Sequence, residues 1–290
     1  MQFNALNQRR ISRELLEWWP VLLGLLALLV PSIFRLAQGI WQSEEQAHGP
    51  LILLVVLYLF WEKRNVIFAP QTQSAKTFGW LCLIFGLLIY AIGRSQEIIL
   101  FEVGAFVPVL AGTLLIARGL PALKQLWFPI IFIVFMVPLP GFVVDGLTGP
   151  LKQHISQIAE TVLYNMGYPV ARSGVTITIG QYQLLVADAC SGLHSMFSLS
   201  ALGLLYLYLA QHKRWWRNGI IIACILPMAF IANIVRVMAL ILITYHFGDE
   251  AGQGFIHGAA GILLFVVALT GLFMLDGFIG LVAKSWNTSA

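Results

Sequence analysis

The chain has 290 residues, of which 59% are hydrophobic and only 10% are charged, whereas about 25% of the residues in an ordinary soluble domain are charged. This composition excludes a soluble globular enzyme, which needs a charged surface, and an intrinsically disordered protein, which needs low hydrophobicity. The net charge of +4 does not indicate a nucleic-acid partner, because Lys and Arg mark the cytoplasmic loops of membrane proteins. We therefore predict a single integral membrane domain over residues 1–290, with the lipid bilayer as its surroundings.

Eight apolar segments come close to the length of about 20 residues that is needed to cross the hydrocarbon core. They predict an all-α polytopic membrane protein with about eight transmembrane helices, at residues 20–38, 48–61, 78–93, 98–117, 126–144, 189–210, 219–246 and 255–283.

The distribution of basic residues predicts the orientation of these helices. With a cytoplasmic N-terminus, most of the 17 Lys and Arg residues fall in cytoplasmic segments, and only Arg35, Arg94, Lys152 and Arg172 fall in outer ones. Cytoplasmic loops of membrane proteins carry such an excess of positive charge. We expect both termini in the cytoplasm and residues 146–188 outside it.

Residues 146–188 are the longest polar region and predict a small extracytoplasmic cap. Apolar residues recur at helical spacing over residues 151–164, which favours an amphipathic helix lying along the membrane interface. Alternating residues at 175–179 and 182–186 flank Gly180 and Gln181, which is typical of a β-hairpin.

Cys190 lies in the sequence Ala189-Cys190-Ser191-Gly192, at the expected start of the sixth helix. The N-terminus of a helix favours a thiolate, which makes Cys190 a candidate nucleophile. The alternative is a buried structural cysteine, the role that we assign to Cys82 and Cys224 because they lie within apolar segments.

Arg236 lies within the seventh predicted helix, and an arginine at membrane depth costs at least about 2.5–3.5 kcal/mol on insertion scales. We expect it to face a water-filled cavity open to the outside, with Asn233 one turn away to orient the guanidinium. The alternative is a structural arginine paired with an acid such as Asp188.

His257 begins the eighth predicted helix and is a candidate proton acceptor, because an unperturbed imidazole titrates near neutral pH. His194 competes for this role, since it follows Cys190 by four residues on the same helix face. Parallel side chains on adjacent turns would leave little room for a substrate between them, so we rank His194 second.

Cys190, Arg236 and His257 come from three different helices, and the predicted topology brings all three to the outer half of the membrane. A thiol, an imidazole and a guanidinium suit acyl transfer, in which the imidazole takes the thiol proton and the cation holds an oxyanion or a carboxylate. The sequence contains no spacing typical of a zinc site and no nucleotide motif, so we expect no metal and no cofactor.

The blocks around these residues resemble the exosortase/archaeosortase family. They are residues 186–193 with Cys190, residues 227–237 with Asn233 and Arg236, and His257 followed by Gly261 and Phe265. His194 stands where many relatives have Arg. The resemblance implies a cysteine transpeptidase-like protease of the inner membrane that uses Cys190, Arg236 and His257. It also implies membrane-anchored protein substrates whose C-terminal sorting signal joins a short motif such as Pro-Glu-Pro, a transmembrane helix and a basic tail.

A second function stays open from the sequence, namely a transporter or assembly factor for a polysaccharide or a lipid-linked sugar. Pro129, Pro138 and Pro140 in the fifth predicted helix are typical of a broken helix that lines a path. Arg236 would then bind a phosphate or a carboxylate.

Overall fold

The computed structural model describes residues 2–43, 46, 48–67, 75–138, 141–185, 192–212, 214–248 and 255–288. Within these ranges, the side chains of residues 2–18, 141–145, 147–148, 192–195, 255–262 and 282–288 are not described. The chain divides into two compact units, Met1–Leu139 (unit 1) and Pro140–Ala290 (unit 2). The prediction of a single membrane domain stays a prediction.

Unit 1 is built from helices. They are α1 (Gln2–Gln38), a 3-10 turn (Ile40–Gln42), α2 (Gly49–Glu62), α3 (Arg64–Ile67), α4 (Lys76–Ser95), α5 (Ile99–Gly104), α6 (Phe106–Ala117), α7 (Leu120–Phe132) and a second 3-10 turn (Ile133–Met136).

Unit 2 combines helices with a small antiparallel sheet of order β1-β2-β3. Its elements are α8 (Gly141–Asn165), β1 (Val170–Ser173), β2 (Thr176–Ile179), β3 (Tyr182–Leu185), α9 (Gly192–Ala210), α10 (Trp215–Phe247) and α11 (Phe255–Thr288). Val170 pairs with Ile179 across the first ladder, and Ile179 pairs with Tyr182 across the second.

Among the described residues, five helical segments are long and apolar enough to cross a membrane: Trp19–Gln42, Lys76–Ser95, Ile99–Ala117, Trp215–Phe247 and Leu263–Leu281. Three shorter apolar helices, Gly49–Glu62, Leu120–Met136 and Met196–Ala210, coincide with the remaining predicted spans. The chain is therefore a multi-pass membrane protein, although these lengths do not confirm the count of eight.

Two predicted helices differ from the observed ones. The fourth is interrupted at Ala105, so that α5 and α6 replace one continuous helix. The fifth, predicted over residues 126–144, ends at Met136, and α8 begins at Gly141. Val137 has an extended backbone (φ −77°, ψ 120°), because the ring of the following Pro138 disfavours the helical conformation.

The helix and the β-hairpin predicted for the cap are both confirmed. The helix is part of the longer α8, and the hairpin is part of the three-stranded sheet. The helix is longer than residues 151–164, and Ile155, Ala159 and Leu163 form its buried face at a spacing of four residues. Ile177 and Ile179 alternate as the buried residues of β2 and share a core with this face. Strand β1 was not predicted, because Val170-Ala171-Arg172-Ser173 shows no repeated apolar alternation.

Glycines allow α4 and α6 of unit 1 to pack with their backbones in contact. A Cβ atom at Gly86 would lie 2.8 Å from the backbone nitrogen of Val109, and one at Gly112 would lie 2.6 Å from that of Leu83. Gly79 and Gly93 occupy the same face of α4, seven residues away on either side. Such close approach of helices is common in membranes, where packing rather than the hydrophobic effect drives helix association.

A buried carboxylate joins α1, α4 and α5. Glu102 is 1% exposed, and it accepts hydrogen bonds from Ser32 Oγ, from Arg94 Nη1 at 2.9 Å and from Arg35 Nη1 at 3.2 Å. Tyr90 completes the group, with its hydroxyl 3.1 Å from Ser32 Oγ. Two of the basic residues predicted to lie in outer segments, Arg35 and Arg94, thus neutralise one buried acid.

We expect Gly86→Ala to destabilise the protein, because the new methyl group would force the backbones of α4 and α6 apart at a cost of about 1–3 kcal/mol. The measurement is the thermal midpoint of the detergent-solubilised protein. Gly24→Ala is the matched control, since no atom lies within 4 Å of a Cβ added there. Equal midpoints for the two variants would contradict the packing.

We expect Glu102→Ala to destabilise the protein by at least about 1–3 kcal/mol, because two guanidinium groups and a hydroxyl lose their shared acceptor. Glu97→Ala is the control, since the Glu97 side chain is 81% exposed and lies 3.9 Å from Arg35 Nη2, a geometry worth at most about 1 kcal/mol. Denaturation of both variants in the same detergent checks the difference. A loss for Glu97→Ala as large as that for Glu102→Ala would contradict the assigned role.

Candidate active site

Three helices of unit 2 pack around one core. Small residues on α10 allow the neighbouring helices to approach closely. The buried members are Met196 and Leu199 of α9, Ala229 and Ala232 of α10, and Leu264 and Ala268 of α11. Every site residue predicted from the sequence lies on one of these helices or just before α9.

The register between α10 and α11 is visible in two contacts. Arg217 Nε of α10 donates to Asp276 Oδ1 of α11 at 2.7 Å, and Ala232 shares the core above with Leu264. The residue numbers rise along one helix as they fall along the other, so the two helices are antiparallel.

This register brings positions 236 and 257 to the same end of the two helices. Arg236 lies 19 residues after Arg217, and His257 lies 19 residues before Asp276. At a rise of 1.5 Å per residue, both positions are about 28 Å from the Arg217–Asp276 contact. The backbone therefore places Arg236 and His257 at one end of the three-helix group, which we call the cap end.

Helix α9 runs parallel to α11, and Tyr206 of α9 also contacts Asp276, with its hydroxyl 2.6 Å from Oδ2. Cys190 precedes Tyr206 by 16 residues in the sequence and Gly192, the first residue of α9, by two. Cys190 itself lies outside the described residues, as do Asp188 and Ser191. Their predicted roles stay predictions.

Arg236 and Asn233 are buried in α10, with 5% and 0% of their surface exposed. Arg236 is thus enclosed by protein, and its predicted position in a water-filled cavity open to the outside stays a prediction. One turn below it, Ala232 belongs to the three-helix core, and directly above it, Val237 belongs to the core shared with the cap. Arg236 therefore lies where the helix core meets the cap.

His257 and His194 are each the third residue of a helix, α11 and α9 respectively. Their backbones are described, and their side chains are not. Both helices begin at the cap end, so both histidines stay candidates for the proton acceptor.

A second polar group in unit 2 was not predicted. Asp276, only 6% exposed, contacts Tyr206, Arg217 and His212, the last through Nε2 at 3.1 Å from Oδ2. Asp276 could have been found from the sequence, because an acid within the eighth apolar segment is itself a signal: ionisable residues are costly inside membranes. Among the described residues, no group of three or more His, Cys, Asp or Glu side chains is placed to hold a metal ion.

Among known proteins, the chain matches a family of membrane proteins. No curated protein and no solved structure matches the chain. The family described as transmembrane exosortase (Exosortase_EpsH) matches residues 40–274. That range covers most of the chain and contains every site residue predicted from the sequence. The chain therefore belongs to the transmembrane exosortase family.

Proposed function

We propose that this protein is a membrane-embedded cysteine protease or transpeptidase that cleaves the C-terminal sorting signal of exported proteins. The expected signal joins a short motif of the Pro-Glu-Pro type, a transmembrane helix and a basic tail. The protein would reside in the cytoplasmic membrane, with both termini in the cytoplasm and the site on the outer side. Family membership supports the general reaction, and the residue roles below belong to the proposal.

The observation that carries the proposal is the buried Arg236 at the cap end of α10. A charged side chain that is 5% exposed within a long apolar helix is expensive to maintain and is therefore a functional candidate. The helix register brings the His257 position to the same end of the helices, and in the sequence Cys190 precedes the start of the neighbouring parallel helix. We infer that these three groups, which suit acyl transfer, act together at this end.

The first step activates the thiol. His257 accepts the proton of Cys190, and the thiolate attacks the carbonyl carbon of the scissile peptide bond. A carbon–sulfur bond forms while the carbonyl electrons move to the oxygen. Arg236 stabilises this oxyanion or, alternatively, holds a substrate carboxylate. A fixed cation is most effective in either role when water is excluded from the site.

The second step releases the sorting helix. The tetrahedral intermediate collapses, the carbon–nitrogen bond breaks, and His257 donates its proton to the leaving amine. The exported protein remains as a thioester on Cys190. Water or another nucleophile then attacks the thioester, which regenerates the thiol.

Four further residues support this arrangement in the proposal. Asn233 lies one turn before Arg236 and orients its guanidinium. Asp188 and Ser191 flank Cys190 and supply polar contacts at the start of α9. His194 is the alternative proton acceptor. No cofactor takes part in the proposed reaction.

The transporter or assembly factor remains the competing function. Helix α7 does pass into a 3-10 turn before Pro138, as a broken helix would. Transport would need Arg236 for an anionic ligand and would not need the thiol. The two functions therefore differ in whether activity survives the loss of Cys190.

We expect Cys190→Ala to abolish processing of a tagged reporter that carries the sorting signal described above, with a loss of at least about 10³-fold because the covalent intermediate cannot form. Processing is measured in membrane vesicles by the size of the tagged product, and hydroxylamine should release the product from the wild-type thioester. Cys82→Ala and Cys224→Ala are matched controls, since both cysteines lie in other parts of long helices.

Normal processing by Cys190→Ala would eliminate the protease. If loss of the thiol leaves activity intact while Arg236→Lys removes it, the transporter becomes the better explanation. Lys keeps the positive charge of Arg236 but lacks the planar guanidinium group. This variant therefore tests the geometry of the side chain without removing its charge.

We expect His257→Gln to lower kcat by about 10²–10⁴-fold, the usual contribution of a general base, and His194→Gln to lower it by less than about tenfold. Activity should also lose its acidic limb in the pH profile of His257→Gln only, because the titrating imidazole is gone. The pH dependence of reporter processing, normalised to the amount of folded enzyme, separates the two. A larger loss for His194→Gln would reverse the assignment.

A further inference from the structure

Asp276 is the centre of a polar cluster at the end of unit 2 opposite to the cap end. Its carboxylate accepts hydrogen bonds from Tyr206 of α9 at 2.6 Å and from Arg217 Nε of α10 at 2.7 Å. Its backbone carbonyl accepts a second bond from Arg217, through Nη2 at 3.0 Å. The side chains of Tyr206, Arg217 and Asp276, which we call the clamp, thus join three helices through one residue.

The side chains that pack around the clamp restrict the positions of its three residues. Apolar side chains of α10 and α11 pack beside it, and the ring of Phe273 meets that of Tyr206 edge-on at 5.0 Å between centroids. Gly280 leaves room for the guanidinium, since a Cβ atom there would lie 3.3 Å from Arg217 Nη2. A carboxylate in such an apolar setting is tolerated only with its donors in place, so each helix is held at one height.

Apolar contacts alone define the height of a membrane helix weakly. Lipid tails are as apolar as the side chains of the helices, so sliding one helix along another exchanges similar contacts. A charged hydrogen bond does not tolerate such sliding, because a shift of one turn moves its partner by about 5.4 Å. The clamp therefore sets the register of α9, α10 and α11.

We propose that Tyr206, Arg217 and Asp276 are positioning residues for catalysis at the cap end, an assignment that rests on the proposed function. The clamp lies on the same three helices that carry or immediately follow Cys190, Arg236 and His257. Arg236 and His257 are both 19 residues from their clamp residues, so the clamp, by setting the register of α10 and α11, sets the height of Arg236 relative to His257. A slip of one turn would carry His257 about 5.4 Å along the helix axis relative to Arg236, which is beyond the reach of a shared hydrogen-bonded site.

The first test is kinetic and uses the full-length protein in membranes. The double variant Arg217→Leu/Asp276→Leu replaces the ion pair with apolar groups, an exchange that other proteins tolerate without loss of folding. We expect kcat per folded enzyme to fall about 10–100-fold and KM for the reporter to stay within about twofold. Tyr206→Phe, which removes one hydroxyl group, should give a smaller loss in the same direction.

The second test measures the register itself. The background is Cys82→Ser, Cys224→Ser and Cys190→Ala. Leu264 and Ala268 are one turn apart and share the native core with Ala232, so the ratio of cross-linking in Ala232→Cys/Leu264→Cys to that in Ala232→Cys/Ala268→Cys reports the height of α11 against α10. With the clamp intact, oxidation should give one fixed ratio, and in the Arg217→Leu/Asp276→Leu variant this ratio should change several-fold.

A matched control is available in the cap. Arg172 Nε lies 3.0 Å from Glu160 Oε2, an ion pair of the same kind in unit 2 that does not join α9, α10 and α11. Arg172→Leu/Glu160→Leu should leave both kcat and the cross-linking pattern unchanged. A merely structural role of the clamp would lower the amount of folded protein equally in both double variants and leave kcat per folded enzyme unaltered.

The outcomes separate this assignment from the proposed function. An unchanged kcat, or an unchanged cross-linking pattern, in the Arg217→Leu/Asp276→Leu variant would overturn the positioning role while an inactive Cys190→Ala still upheld the protease. Normal processing by Cys190→Ala would overturn the protease and the catalytic role of the clamp together. A shift in register accompanied by a loss of kcat at constant KM would establish the assignment.

Discussion

A charge that is buried among apolar helices must find its partners inside the protein, and this constraint organises both units. Glu102 and Asp276 are carboxylates that are 1% and 6% exposed. Each accepts hydrogen bonds from a hydroxyl group and from arginine, and in each case the donors come from other helices. The partnership is obligatory, because an unpaired buried carboxylate costs several kcal/mol. The two carboxylates thus fix the relative positions of the helices that meet at them, α1, α4 and α5 at Glu102 and α9, α10 and α11 at Asp276.

The same constraint explains why basic residues occur where the distribution of charge predicts few. Arg35 and Arg94 neutralise Glu102, and Arg172 pairs with Glu160 in the cap. These arginines are therefore local structural partners and carry little information about orientation. Arg236 differs from them, since it is more deeply buried than Arg35, Arg94 or Arg172 and lies toward the cap end of α10.

The sequence predicted the features that depend on local periodicity. The long apolar segments, the buried face of α8 and the hairpin of β2 and β3 all follow from spacings within 20 residues. Contacts between residues that are far apart in the sequence were not predicted. Glu102 contacts Ser32, and Asp276 contacts Tyr206, each across 70 residues. These acids were also overlooked because one charged residue changes the mean hydropathy of a whole span very little. The end of the helical segment at Met136, where the 3-10 turn after α7 stops, was also missed, because a long apolar run outweighed the local effect of Pro138. For the site, the sequence identified candidate residues on three helices, and the contact between Arg217 and Asp276 supplied the register that relates Arg236 to His257.

The direction of the helices gives the cap end a chemical character of its own. Because α9 and α11 are parallel to each other and antiparallel to α10, two helix N-termini lie at the cap end, where Arg236 also lies. Each N-terminus carries a partial positive charge, and the guanidinium adds a full one. In the proposed mechanism, such an end favours a thiolate over a thiol and an oxyanion over a neutral carbonyl. The proposed acyl transfer by Cys190 passes through both of these anions, and the proposed role of the clamp at the opposite end is to hold the two N-termini where this field overlaps.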